Sequence, residues 1–168
     1  IIASMKDLNG NINVAGFYRD VVELSVHDKK SIAEVPFDEE TYIEHLGVPD
    51  VFGEMGFTTP ERLWARPTLE LNGIWGGYQG QGTKTVLPAK ANAKITCRLV
   101  ANQNPEQIYI LLKKHIQENT PRGVTVDVRR LPGRADPFSV PSGHNSSQIA
   151  AEVLSEVYGK KPYLVRTG

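Results

Sequence analysis

Three short stretches of the chain alternate apolar and polar residues with a period of two, the pattern of a strand that buries one face. The first is TLELN (68–72). In AKITCRL (93–99) the alternation places Ala93, Ile95, Cys97 and Leu99 toward a core and Lys94, Thr96 and Arg98 on the other face. VTVDV (124–128) is the third. Strands with one apolar face predict an antiparallel sheet covered on that side only.

The period changes to a helical one in two further places. Asn104 as N-cap, Pro105 at the first helical position and Gln107 as capping-box partner open a helix. Its Ile108, Leu111, Leu112 and Ile116 form one stripe, and Pro121 with Gly123 closes it. A second helix is predicted over 147–158, with Ile149, Val153 and Val157 in a row, Ala150 and Leu154 beside them, and Gly159 as the stop. Strand, strand, helix, strand is most of a ferredoxin-like, split βαβ sandwich of the α+β class, its antiparallel sheet covered by helices on one face. IIASM (1–5) reads as the tail of an amphipathic helix, so the first strand of the sandwich is expected upstream. YLVR (163–166) reads as a strand just beginning, and both ends are expected to continue into something longer.

Residues 11–66 look irregular, broken by Gly16, Pro36, Gly47, Pro49, Gly53, Gly56 and Pro60. One short helix is predicted over 38–46 with Asp38 as N-cap, and a brief helical turn at TTPE (58–61). The chain thus divides into 1–66, a helix end plus the irregular segment; 67–134, the sheet and its helix; and 135–168, a return helix and strand.

Composition narrows the partners. With 19 basic and 19 acidic residues among 168, net charge is zero, which argues against nucleic acid or an anionic membrane. No apolar run approaches the roughly 20 residues of a membrane span. The one cysteine, Cys97, excludes an internal disulfide and fits a reducing, cytoplasmic setting.

GIWGGYQGQGTKT (73–85) invites comparison with a phosphate cradle. Gly77 and Gly82 have Walker spacing, but Thr83 precedes Lys84-Thr85 and VLPAKAN (86–92) is no helix. Gly80 and Gly82 are followed at the third place by Thr85, so the dinucleotide fingerprint fails too. The stretch reads as a flexible bend between strands, or as a place where backbone approaches a ligand or a neighbouring chain. His27, His45, His115 and His144 stand apart in sequence, Asp127 and Asp136 have no histidine at useful spacing, and Ser139, Ser142, Ser146 and Ser147 belong to no nucleophile elbow. No catalytic or metal-binding residue is assigned. Arg98, mid-strand on the uncovered face, suits a carboxylate held by two parallel hydrogen bonds, and equally a solvated cross-strand ion pair. Lys84 and Thr85 offer a cation and a hydroxyl.

RLWARPTLELNGI (62–74), the bend ending GTKTVLPA (82–89), KITCRLV (94–100) and NPE (104–106) together resemble one known segment. It is the lid, or dimerisation, domain of the co-catalytic dizinc metallopeptidases, which include carnosinase, aminoacylase, acetylornithine deacetylase and succinyl-diaminopimelate desuccinylase. NGNINVAGFY (9–18) is similar to the dipeptidase branch, and LVRTG (164–168) to the family's re-entry into its catalytic domain. The resemblance implies a zinc-dependent amide hydrolase acting on dipeptides or N-acyl amino acids. Its two zinc ions and its catalytic glutamate would belong to a domain outside this chain. It implies a homodimer formed through the lids and a substrate with a free carboxylate. Thr85 is similar to a lid threonine that reaches across the dimer, Arg98 to the arginine that binds the carboxylate, and Arg166 to an arginine near re-entry; Gly82 and Lys84, just before Thr85 in the same bend, are expected to bind substrate with it. The place where some dipeptidases carry a second substrate-binding histidine is here Leu131-Pro132-Gly133. The competing expectation is a free-standing sandwich that binds a small acidic molecule or a protein.

Overall fold

The structure is a computed structural model and describes residues 1–141 and 143–166. Strands β1 (Thr68–Gly76) and β2 (Ala91–Arg98) pair antiparallel, with Thr68 opposite Arg98 and Gly76 opposite Ala91. The register slips once between Leu71 and Gly73, so Asn72 is an extra residue in β1 and Ile74, rather than Gly73, falls opposite Ala93. Burial fades along the hairpin. Leu69 is 1% exposed, Leu71 39% and Ile74 64%. The base of the hairpin is therefore core and its far end projects. Ile95, Cys97 and Leu99 pack on the core as the alternation predicts; Ala93, expected inward, is exposed because it lies on the projecting part.

The core is completed by two other segments. Helix α4 (Pro105–Glu118) starts at Asn104, whose side chain accepts from the Glu106 and Gln107 amides at 2.9 and 3.2 Å, and it buries Ile108 and Ile116. The N-terminal stretch supplies Met5, Ile12, Val14 and Phe17. It is not the α-helical tail expected from IIASM: Ile2–Ser4 is one 3-10 turn, followed by a tight bend closed by a bridge between Lys6 and Ile12. Asp7 organises that bend by accepting from the Asn9 and Asn11 amides at 2.9 and 2.8 Å. At its tip Gly10 has φ +79°, and a Cβ there would meet Gly53 backbone at 2.6 Å.

Residues 11–66 hold more helix than expected. Helix α1 (Val26–Ala33) opens with a capping box between Ser25 and Asp28 and buries Ile32. Helix α2 (Glu39–Leu46), capped by Asp38 and ended by left-handed Gly47, and helix α3 (Thr59–Ala65), with a Thr58–Glu61 capping box, follow the local signals. Arg66, directly after α3, pins the intervening loop. Its guanidinium donates to both carboxylate oxygens of Glu54 at 2.6 and 2.8 Å and lies 4.2 Å over the Phe57 ring and 5.2 Å over Tyr18.

Three expectations fail in the C-terminal part. Residues 124–128 form no strand. A ladder needs a hydrogen-bonded neighbour, and among the described residues the sheet has only β1 and β2. Val128 alone of its apolar row packs on the core. Helix α5 (Asn145–Tyr158), capped by His144, covers nothing with its apolar row: Ile149, Val153, Leu154 and Val157 are exposed, and the half-buried positions are Ser147, Ala151 and Ser155. After α5 the chain returns to α1 through ion pairs Lys161–Glu34 at 3.4 Å and Arg166–Asp28 at 2.6 Å, and 163–166 add no strand.

Candidate functional site

The glycine stretch is the bend that joins β1 to β2, and every residue from 77 to 90 is exposed. Its shape comes from backbone that only glycine adopts easily. Gly76, Gly77 and Gly82 have φ +156°, +71° and +82°. Nothing lies within 4 Å of a Cβ placed on Gly82, so open space surrounds it. The Val86 amide donates to the Lys84 carbonyl at 2.9 Å, a three-residue turn centred on Thr85. Asn102 being the one non-glycine with positive φ among the described residues, this turn is of the relaxed, inverse kind. It holds the Thr85 side chain at a tight corner of a projecting loop.

Tyr78 was not singled out by the sequence, and it is the one aromatic side chain inside the bend. Its hydroxyl donates to the Gln81 carbonyl at 3.0 Å, and the Lys84 ammonium lies 5.6 Å over its ring. A signal existed in the aromatic embedded among glycines, but which backbone it touches is not periodic information.

Arg98 lies on the uncovered face of β2 and is exposed, as the alternation predicts. That face is charged and shared: the Lys6 ammonium pairs with Glu70 at 3.2 Å, and Lys94 lies 5.9 Å over the Trp75 ring. Gly82, Lys84 and Thr85 are grouped in the bend, whereas Arg98 is seven residues from Ala91, at the far end of the ladder, roughly 23 Å along the strand. Arg166 belongs to neither place. Its guanidinium is engaged by Asp28, whose carboxyl is held below the usual range, first by the Ser25 hydroxyl and further by the Ser25 amide and Arg166.

The remaining sequence candidates do not assemble. His115 is buried in α4 with its Nε2 2.9 Å from Ser4 Oγ, and His144 caps α5 with its Nδ1 2.7 Å from Ser146 Oγ. Ser147 lies in the first turn of α5, Ser139 is exposed in the preceding segment, and Ser142 lies outside the described residues, as do Thr167 and Gly168 of the LVRTG stretch. Asp127 pairs with Arg129 and Asp136 with Arg134. Among the described residues no group of three or more His, Cys, Asp or Glu could hold a metal ion. Burial pushes the Cys97 thiol up to about 12, with the Glu70 charge adding to it. Among the described residues no helix is long and apolar enough to cross a membrane.

Two shallow hollows, of about 170 and 250 Å³, flank Arg62, and neither is lined by the bend or by Arg98. Both are smaller than the few hundred Å³ at which ligand sites begin. The bend and Arg98 on the open face of β2 line neither hollow and present their polar groups at the exposed surface.

Residues 1–124 match the family model described as the Peptidase dimerisation domain. The chain is 31% identical over 116 residues to the Cys-Gly metallodipeptidase dug1 of Schizosaccharomyces pombe, a stretch that is 69% of this chain and 24% of that protein. Among solved structures it is similar to the M20 family metallo-carboxypeptidase Sso-CP2 from Sulfolobus solfataricus, with a TM-score of 0.83 and 30% identity over 99% of this chain and 37% of that one. It is also similar to human carnosine dipeptidase 1, with a TM-score of 0.77 and 25% identity over 99% of this chain and 36% of that one. The chain thus spans between about a quarter and somewhat over a third of these relatives. A projecting hairpin with a glycine-rich bend, the α4 layer behind it and the match over 1–124 together place this chain in the peptidase dimerisation domain family.

Proposed function

We propose that this segment is the dimerisation lid of a metal-dependent hydrolase that cleaves the amide bond of dipeptides or N-acyl amino acids, and that it grips the substrate carboxylate while closing the active site. The observation that carries the reading is the exposed placement of the polar groups: Lys84 and Thr85 stand on a projecting bend and Arg98 on an open sheet face. Such groups bind a small anion well only when another surface encloses it and excludes water. A catalytic domain, its own or that of a second subunit, is the enclosure the reading requires.

Each residue then has a task. Arg98 offers paired N–H donors to the carboxylate. Thr85 donates a hydroxyl hydrogen bond and Lys84 a positive charge from the bend, Gly82 keeps the approach free of side chains, and Arg166 stands where the chain would pass on toward the catalytic domain. The metal, proposed as two zinc ions, would be held by residues other than these and would activate water and polarise the carbonyl. By itself the segment is proposed to be catalytically inactive, to pair with a second copy, and to work in the cytoplasm.

A mixing experiment tests the division of labour. Full-length protein carrying Thr85→Ala and Arg98→Ala is combined with full-length protein whose metal ligands are removed, each inactive alone, and the subunits are exchanged. If the lid serves its partner's site, activity returns in the mixed dimer, because the metal-free subunit lends its intact lid. No recovery, with mixed dimers demonstrated by mass spectrometry, rules out action across the dimer.

A further inference from the structure

We propose that Tyr78 is the positioning residue of the glycine-rich bend: it braces the loop from within, so that Lys84 and Thr85 are presented in one geometry. The inference rests on the reading of the bend as a substrate-gripping element.

Three contacts made by the same side chain carry it. The hydroxyl donates to the Gln81 carbonyl at 3.0 Å, tying the ring to the backbone three residues ahead. The ring face lies under the Lys84 ammonium at 5.6 Å, which favours one location for a flexible cation. Gly80 closes over the ring edge. A Cβ there would stand 2.5 Å from the Tyr78 hydroxyl oxygen and 2.6 Å from Cζ. Tyr78 therefore needs glycine at 80 to occupy its place, and the place it occupies puts it beside Gln81 and Lys84.

The physical need is clear from the composition of the bend. Between 76 and 82, Gly76, Gly77, Gly80 and Gly82 leave four of seven positions without a side chain. A glycine-rich loop loses more conformational freedom on ordering than any other, and ordering it at the moment of binding weakens affinity. An aromatic that orders the loop beforehand removes part of that cost. The effect should fall on binding rather than on chemistry, since Tyr78 touches the loop and not the scissile bond.

The test is steady-state kinetics of the full-length enzyme with a matched pair of substrates, one with a free carboxylate and one with a carboxamide. Tyr78→Phe keeps the ring and loses the hydroxyl; Gly80→Ala keeps the tyrosine and displaces it. For the carboxylate substrate each is expected to raise KM roughly two- to tenfold with kcat within about twofold, the scale of one modest hydrogen bond. For the carboxamide, KM should change by less than about twofold, a selectivity that general loss of folding would not produce. In a Tyr78→Ala background, Gly80→Ala should add nothing, because the group it collides with is gone. Unchanged KM in both single variants, equal effects on the two substrates, or strictly additive effects of Tyr78→Ala and Gly80→Ala would each overturn the brace. Thr85→Ala in the same assay separates the levels: if it raises KM while Tyr78→Phe and Gly80→Ala do not, only the brace fails; if it too leaves KM unchanged, the gripping role of the bend fails with it.

Discussion

Arg66 and Glu54 form a fork-to-fork ion pair, 2.6 and 2.8 Å, in which the arginine is 7% exposed and is roofed by the Phe57 ring. The pair joins the end of α3 to a loop that has no regular structure of its own. Because a guanidinium presents two parallel donors and an ammonium does not, Arg66→Lys keeps the charge and loses the grip. Burial alone would make this arginine easier to deprotonate, but the Glu54 hydrogen bond and charge outweigh it and strengthen the proton's hold. Arg66→Ala is expected to destabilise by roughly 3–5 kcal/mol, as a mostly buried carboxylate loses its partner. Arg66→Lys should cost less, and Arg66→Ala combined with Glu54→Ala less than the sum. Denaturant unfolding of the parent, Arg66→Ala, Arg66→Lys, Glu54→Ala and the double variant checks this; additive losses would show that the two residues are not coupled.

Gly10 and Gly47 both have left-handed backbone, φ +79° and +66°, but only Gly10 has backbone against its open side. Gly47→Ala should cost about 1 kcal/mol from conformation alone. Gly10→Ala adds to that a 2.6 Å approach to the Gly53 carbonyl and should lower Tm clearly further. Equal Tm losses for the two variants would mean that the Gly10 bend does not pack on residue 53.

Asp28 gives the fold an acid-sensitive tie. Its folded pKa is depressed, first by the Ser25 hydroxyl, so the stability it supplies is fully present above its unfolded value, about 3.9, and is lost as pH falls through the folded value. Asp28→Asn should flatten the decline of thermal stability in acid below about pH 4 and lower stability at neutral pH. A melting temperature that depends on pH identically in both proteins would contradict the assignment.

Cys97 should be chemically quiet while the protein is folded. With its thiol pushed up to about 12, the reactive thiolate is roughly one part in ten thousand at pH 8. Alkylation followed by mass spectrometry is expected to label Cys97 only after denaturation. Rapid labelling of native protein would show that the β2 core face is open.

Much of this architecture was readable from local signals. Asn104-Pro105, Asp38 and Thr58 mark helix starts because the groups that satisfy a helix's first amides are encoded within a few residues, and Arg98 falls on the open face because strand period is two. What escaped depends on partners distant in sequence. The 124–128 alternation is strand-like, but a strand exists only beside another, and the apolar row of α5 says nothing of whether a surface covers it. The extra residue at Asn72 flips the faces of β1 and is invisible to periodicity. Helix α1 was legible in principle, since Ser25-Val26-His27-Asp28 spells a capping box, but glycines and prolines around it suggested irregular chain. Of the candidate site, the sequence placed the bend between two strands and Arg98 on the open face; that one strand length divides them, and that Tyr78 lies inside the bend against Gln81 and Lys84, required coordinates.

The measurement that tests the proposed function most directly is kcat/KM of the proposed full-length hydrolase and its Arg98→Ala variant on a carboxylate substrate and its carboxamide twin. Loss of a charge-assisted contact predicts a fall of roughly 10- to 150-fold for the carboxylate and little change for the carboxamide. Equal values for variant and parent on the carboxylate, or equal losses on both substrates, would contradict a carboxylate grip on the open face of β2.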